Sequence, residues 1–114
     1  MPELGFPRQA RLTETDDFSS VFNFRKRISG PHLALYYRPN QLSRSRLGLI
    51  VGKKTARSSV RRNYMRRVLR ELFRHQQSKL KNVDIVIRVH SPFYRSEYPS
   101  LALEFNELVF RLNR

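Results

Sequence analysis

Nine cations crowd the 22 residues from Lys53 to Arg74: Lys53, Lys54, Arg57, Arg61, Arg62, Arg66, Arg67, Arg70 and Arg74. Glu71 is the only acid among them, so the segment carries a net +8. Arg62, Arg66, Arg70 and Arg74 stand four residues apart. On a helix they form a ladder of like charge, which weakens the isolated helix. A solvated helix face ordinarily mixes signs. An unmixed ladder suits a surface that meets a polyanion, because a guanidinium grips phosphate with two donors and stacks on bases. The whole chain leans the same way, with 23 Lys+Arg against 9 Asp+Glu and a formal charge of +14 at pH 7. Arginine far outnumbers lysine. Nucleic acid is the partner this balance favours, since each phosphate neutralised releases counterions. An anionic membrane surface is the competing partner for such charge.

The residues for catalysis by this chain itself are sparse. The acids are Glu3, Glu14, Asp16, Asp17, Glu71, Asp84, Glu97, Glu104 and Glu107. Asp16 and Asp17 are the only close pair, and neighbours on a helix point apart. His32, His75 and His90 lack metal-ligand spacing. There is no cysteine, hence no disulfide frame, thiolate zinc site or thiol nucleophile. Gly52-Lys53-Lys54-Thr55 ends like a phosphate-binding loop, yet Leu47 stands where its first glycine belongs. The residues point to binding, with no catalytic or metal-ligating set.

The elements that must position the basic segment follow from periodicity. The length of 114 residues suits one domain, residues 1–114, with a modest core and a loose leader over 1–12. Thr13 to Asp16 has the spacing of a capping box, with Asp16 and Asp17 in the first helical turn. Phe18, Val21 and Phe22 then predict a short helix over 15–24. Residues 32–37 and 47–51 read as strands, most simply antiparallel neighbours. A helix runs from about Val60 into the late 70s. Counting about 100° per residue from Val60, Met65, Val68, Leu69 and Leu72 fall between about 80° and 180°. Asn63, Arg66, Arg67, Arg70 and Arg74 fall between about 240° and 340°. Residues 83–89 form a β-branched strand. Leu101, Phe105, Leu108, Val109 and Leu112 predict a last helix, with Pro99 in its first turn. The result is a small α+β or α/β layered domain. No run reaches the length of a membrane span, and the first residues lack the order of a secretion signal. A soluble cytoplasmic protein is expected.

Three motifs occur in order along this frame: Asp17-Phe18-Ser19-Ser20-Val21-Phe22, then Leu47 to Lys54 ending in Lys53-Lys54, then Arg61 to Arg70. The sequence resembles the protein subunit of bacterial ribonuclease P, whose basic helix carries an Arg-Asn-Arg-type motif. Here that motif begins Arg62-Asn63, and its usual third arginine is Tyr64. A phenol offers a ring face and one hydroxyl in place of a charged fork.

The resemblance implies an enzyme that removes the 5′ leader of precursor tRNA through a catalytic RNA subunit. Magnesium ions would be positioned mainly by that RNA, with no cofactor held by this chain alone. It implies a two-layer α/β sandwich of order α-β-β-β-α-β-α, with a left-handed β-α-β crossover, although the general rule is right-handed. Arg62, Asn63, Arg66, Arg67 and Arg70 would face the catalytic RNA. Lys53, Lys54, Arg57 and Arg61 would flank them, and Arg74 continues the ladder. Phe18, Phe22 and Tyr36 would line a cleft for the single-stranded leader, where stacking tolerates any base sequence. Spacing alone favours core packing for Phe18 and Phe22 over a place in the cleft. The expected partners are the catalytic RNA and precursor tRNA, with no membrane and no obligate protein partner. A ribosomal or DNA-binding module and a standalone nuclease are the alternatives.

Overall fold

Alternation along the strands gives the sheet two faces, and helices cover both. The computed structural model describes residues 11, 12, 15–42, 44–80 and 82–113. Its elements are α1 (Thr15–Asn23), β1 (Arg27–Ser29), β2 (Leu33–Pro39), β3 (Arg46–Ile50), α2 (Ser59–Gln76), β4 (Val83–Val89) and α3 (Tyr98–Leu112). Short 3₁₀ turns at Gln77–Lys79 and Arg95–Glu97 follow α2 and precede α3. The α+β class and the element order match the expectation.

Leu33, Leu35, Leu47, Val83, Ile85, Ile87 and Val89 point to one face and pack with α2 and α3 in the main core. Met65, Val68, Leu69, Leu72 and Phe73 supply the α2 side of it, and Leu101, Phe105, Leu108 and Val109 the α3 side. Pro99 sits in the first turn of α3, where a missing N–H costs nothing. The opposite sheet face carries a smaller cluster. There Val21 of α1 and Val86 are buried with Leu12, edged by Phe18, Phe22, Tyr36 and Ile50.

The strand order is β1-β2-β4-β3. This corrects the expected pairing of the second and third strands: β4 lies between them, antiparallel to β2 and parallel to β3. The reason is burial. β4 is buried at every position but Arg88, and such a strand belongs in the sheet's interior. β3 and β4 are thus neighbouring parallel strands joined through α2, a β-α-β crossover. β1 is an edge strand of three residues, antiparallel to β2.

The capping box proposed at Thr13 lies outside the described residues, as do positions 1–10. Asp16 and Asp17 do occupy the first turn of α1. Arg11 and Leu12, expected to be loose, are tied down. Arg11 forms a parallel bridge with Leu47, and Leu12 donates its N–H to the Leu47 carbonyl at 2.8 Å. The outer edge of β3 leaves backbone groups open to such pairing. Among the described residues, no helix is long and apolar enough to cross a membrane.

Candidate nucleic-acid interface

α2 begins where β3 runs out into a turn. Thr55 and Ala56 donate their N–H groups to the Gly52 carbonyl, closing that turn. Ser58 then caps the helix, its hydroxyl accepting from the Arg61 N–H at 3.3 Å, which satisfies an orphan donor of the first turn. Lys53, Lys54 and Arg57 surround one shallow hollow on this turn. Arg62 reaches back and donates to the carbonyls of Ala56 and Arg57, both at 2.8 Å. Its guanidinium therefore braces the turn that presents the other three cations.

The ladder on α2 is chemically uneven. Arg66 donates to Asn63 Oδ1 at 3.1 Å, so the two side chains present one polar surface. Arg67 is exposed. Arg70 is half-buried, and burial, with repulsion from Arg11 and Arg66, holds its pKa below the ordinary guanidinium value. A site that makes a cation less comfortable gains from an anion nearby. Arg74 is matched locally: its Nε donates to Glu71 at 3.2 Å, and His75 contacts the same carboxylate. Arg74 and His75 hold the Glu71 carboxyl down at about 2. Arg61 stands outside the ladder. Its guanidinium stacks 4.1 Å from the Tyr94 ring centroid and donates to the Tyr94 hydroxyl at 2.9 Å. Tyr64 packs against the main core beside Phe93, their ring centroids 6.3 Å apart.

Between α1 and α2 lies a cleft of about 240 Å³ over β3. Leu12, Phe18 and Gly48 form its apolar side, and Arg11, Arg66 and Arg70 its cationic side. Gly48 is essential to this shape. A Cβ there would stand 2.6 Å from two ring carbons of Phe18, so only glycine lets that ring lie on the strand. Phe22 meets Tyr36 edge to face at 4.7 Å on the same sheet face, and neither lines the cleft. Phe18, Phe22 and Tyr36 are all half-buried. They belong to the small core and remain partly exposed, and of the three Phe18 alone lines the cleft.

Sequence reasoning missed Gly48 and Arg11 in the cleft. An isolated glycine inside a strand pattern was the available signal for the first. It also missed the buried Asp84, which receives Arg46 Nε at 2.9 Å and Asn40 Nδ2 at 2.8 Å. Among the described residues, no three acidic or histidine side chains converge to hold a metal ion. Asp84 is enclosed by Arg46, Arg38 and Asn40. Glu104 is occupied by the backbone N–H groups of His32 and Leu33, at 2.7 and 2.8 Å. Asp84 and Glu104 are thus committed to protein partners.

Relatives bear on what this surface serves. A sequence profile of the family described as Ribonuclease P matches residues 6–113. The chain is 42% identical over 109 residues to the ribonuclease P protein component of Chromobacterium violaceum, covering 96% of this chain and 90% of that protein. It is 41% identical over 102 residues to that of Azoarcus sp., covering 90% and 85%. Among solved structures, the RNase P protein from Thermotoga maritima matches with a TM-score of 0.75 at 25% identity, covering 89% of this chain and 96% of that one. The Staphylococcus aureus RNase P protein matches at 0.79 and 22%, covering 92% and 95%. A chain that the family profile matches over residues 6–113 and that is 42% identical to such a protein over 96% of its length belongs to the ribonuclease P protein component family.

Proposed function

We propose that this protein grips a catalytic RNA along α2 and receives the single-stranded 5′ leader of precursor tRNA in the cleft over β3. As a ribonuclease P protein component it serves the 5′ maturation of tRNA together with an RNA subunit. The observation that carries the finer reading is the cleft itself, with Phe18 on one wall and Arg66 and Arg70 on the other. A leader strand has bases that stack and phosphates that need cations, and stacking accepts every base. Lys53, Lys54 and Arg57 extend the phosphate contacts, and Asn63 and Arg67 complete the RNA-facing side of α2. Phe22 and Tyr36 continue the aromatic surface along the sheet.

In this reading hydrolysis and the magnesium ions belong to the RNA partner. The chain contributes binding and electrostatics: its cations offset phosphate repulsion between leader and catalytic RNA, so fewer divalent ions are needed. A cytoplasmic location follows from the same reading. The test is reconstitution. Adding the folded protein to the ribonuclease P RNA should raise cleavage of precursor tRNA at low magnesium. Lack of stimulation by correctly folded protein would overturn the proposal, and cleavage by the protein free of RNA would overturn the division of labour.

A further inference from the structure

On the other flank of α2 lies a second concavity, of about 390 Å³, lined by Ser58, Arg61, Tyr64, Phe93, Tyr94 and Arg95 among others. That volume is in the range of small-ligand pockets, about 300–1,000 Å³. Phe93 is fully buried and forms the base, while Tyr94 is 44% exposed. Arg61 stacks on Tyr94, and the Arg95 guanidinium stands 5.6 Å from the Tyr64 ring centroid. Among the described residues, no acid lines the pocket. Two tyrosine rings and two guanidinium planes around an acid-free hollow match the chemistry of one unpaired nucleotide. Rings and guanidinium planes take the base, and the cations take its phosphate.

We infer that this pocket receives a single unpaired base of the RNA subunit. The inference rests on the RNA-binding role of α2 proposed above. Counting about 100° per residue from Val60, Tyr64 and Arg61 fall near 40° and 100°, whereas Arg66 and Arg70 fall near 240° and 280°. Asn63 and Arg67 lie between the two sides, at about 300° and 340°. An RNA laid across the exposed face of α2 therefore reaches this pocket on the flank away from the cleft. The place of Tyr64 is then explained. Where the family motif has an arginine, the phenol supplies an aromatic wall, and Arg95 from the segment before α3 returns the charge.

Binding of the full chain to the ribonuclease P RNA of the same organism, measured over a range of KCl, tests this. Tyr94→Leu should weaken binding about tenfold, within the range of losing one stacked base, and leave the salt slope unchanged. Tyr94→Phe keeps the ring face and should bind within about twofold of the parent. Arg95→Gln should weaken binding and lower the salt slope by about one. It alters an exposed side chain, so it keeps the test decisive if Tyr94→Leu fails to fold. Parental affinity and slope in both pocket variants, with Arg66→Ala still weakened, would overturn the pocket and leave the α2 interface standing. A pocket that serves a protein partner gives that same pattern. Parental affinity in Arg66→Ala as well would overturn the interface.

Discussion

Four arginines at a spacing of four do not become four equal grips on phosphate. Arg62 is committed to two carbonyls of its own connector, and Arg74 to Glu71. Arg66 and Arg70 line the cleft, and Arg70 is partly desolvated beside other cations. A polyanion gains most where a cation has no protein carboxylate to meet. Arg66→Ala and Arg70→Ala should each weaken RNA binding and lower the salt slope by about one. Arg74→Ala removes a charge that Glu71 already offsets, so its effect should be clearly smaller. Binding isotherms at several KCl concentrations rank the three, and an equal loss for Arg74→Ala would contradict the ranking. The sequence revealed which side of α2 these residues share, because helical phase depends on spacing alone. It could not reveal that Arg62 turns back or that Arg61 stacks on Tyr94. Those contacts depend on where residues 56–58 and 93–95 arrive in space.

At the scale of elements, the strands were legible and their neighbours were not. β-branched, alternating residues define β2, β3 and β4, but alternation assigns faces rather than partners. Only the near-complete burial of β4 distinguishes it as the strand between β2 and β3. β1, with three residues, is too short for any pattern. The cleft is likewise a product of element packing, set by how closely α1 approaches β3. Gly48 controls that approach. Gly48→Ala places a methyl group 2.6 Å from the Phe18 ring, so the ring or α1 must move. Overpacking of this kind costs about 1–3 kcal/mol. The apolar side of the cleft moves with the ring, whereas the exposed face of α2 does not. Leader affinity in the reconstituted enzyme should therefore fall while affinity for the RNA subunit stays near parental. A variant with parental melting and parental leader affinity would show that Phe18 does not shape the leader site.

At the scale of the molecule, a formal charge of +14 must be contained in a fold with few acids. One carboxylate has an outsized share in this. Asp84 is fully buried, and burial alone would raise its pKa. The hydrogen bonds from Arg46, Asn40 and Arg38, with the Arg46 charge, outweigh that and lower it below the ordinary aspartate value. Arg46 is raised correspondingly by its bond to Asp84. A folded pKa below the unfolded one means that the native state stays deprotonated longer. The stability Asp84 contributes is therefore fully present above the ordinary carboxylate range, near pH 4. It is lost as pH falls through the lower folded value. Protonation leaves Arg46 and Arg38 clustered without a counter-charge while net positive charge rises everywhere. Melting temperature should fall steeply below about pH 4. Asp84→Asn should already be destabilised at pH 7, by about 3 kcal/mol, the scale of breaking a buried pair. Its stability should then vary less between pH 5 and pH 2 than the parent's. Bound RNA should offset part of the loss in both proteins, since a ligand of the folded state adds its binding free energy. Melts followed by circular dichroism across that range decide the matter, and parallel acid slopes for parent and variant would remove Asp84 as the cause.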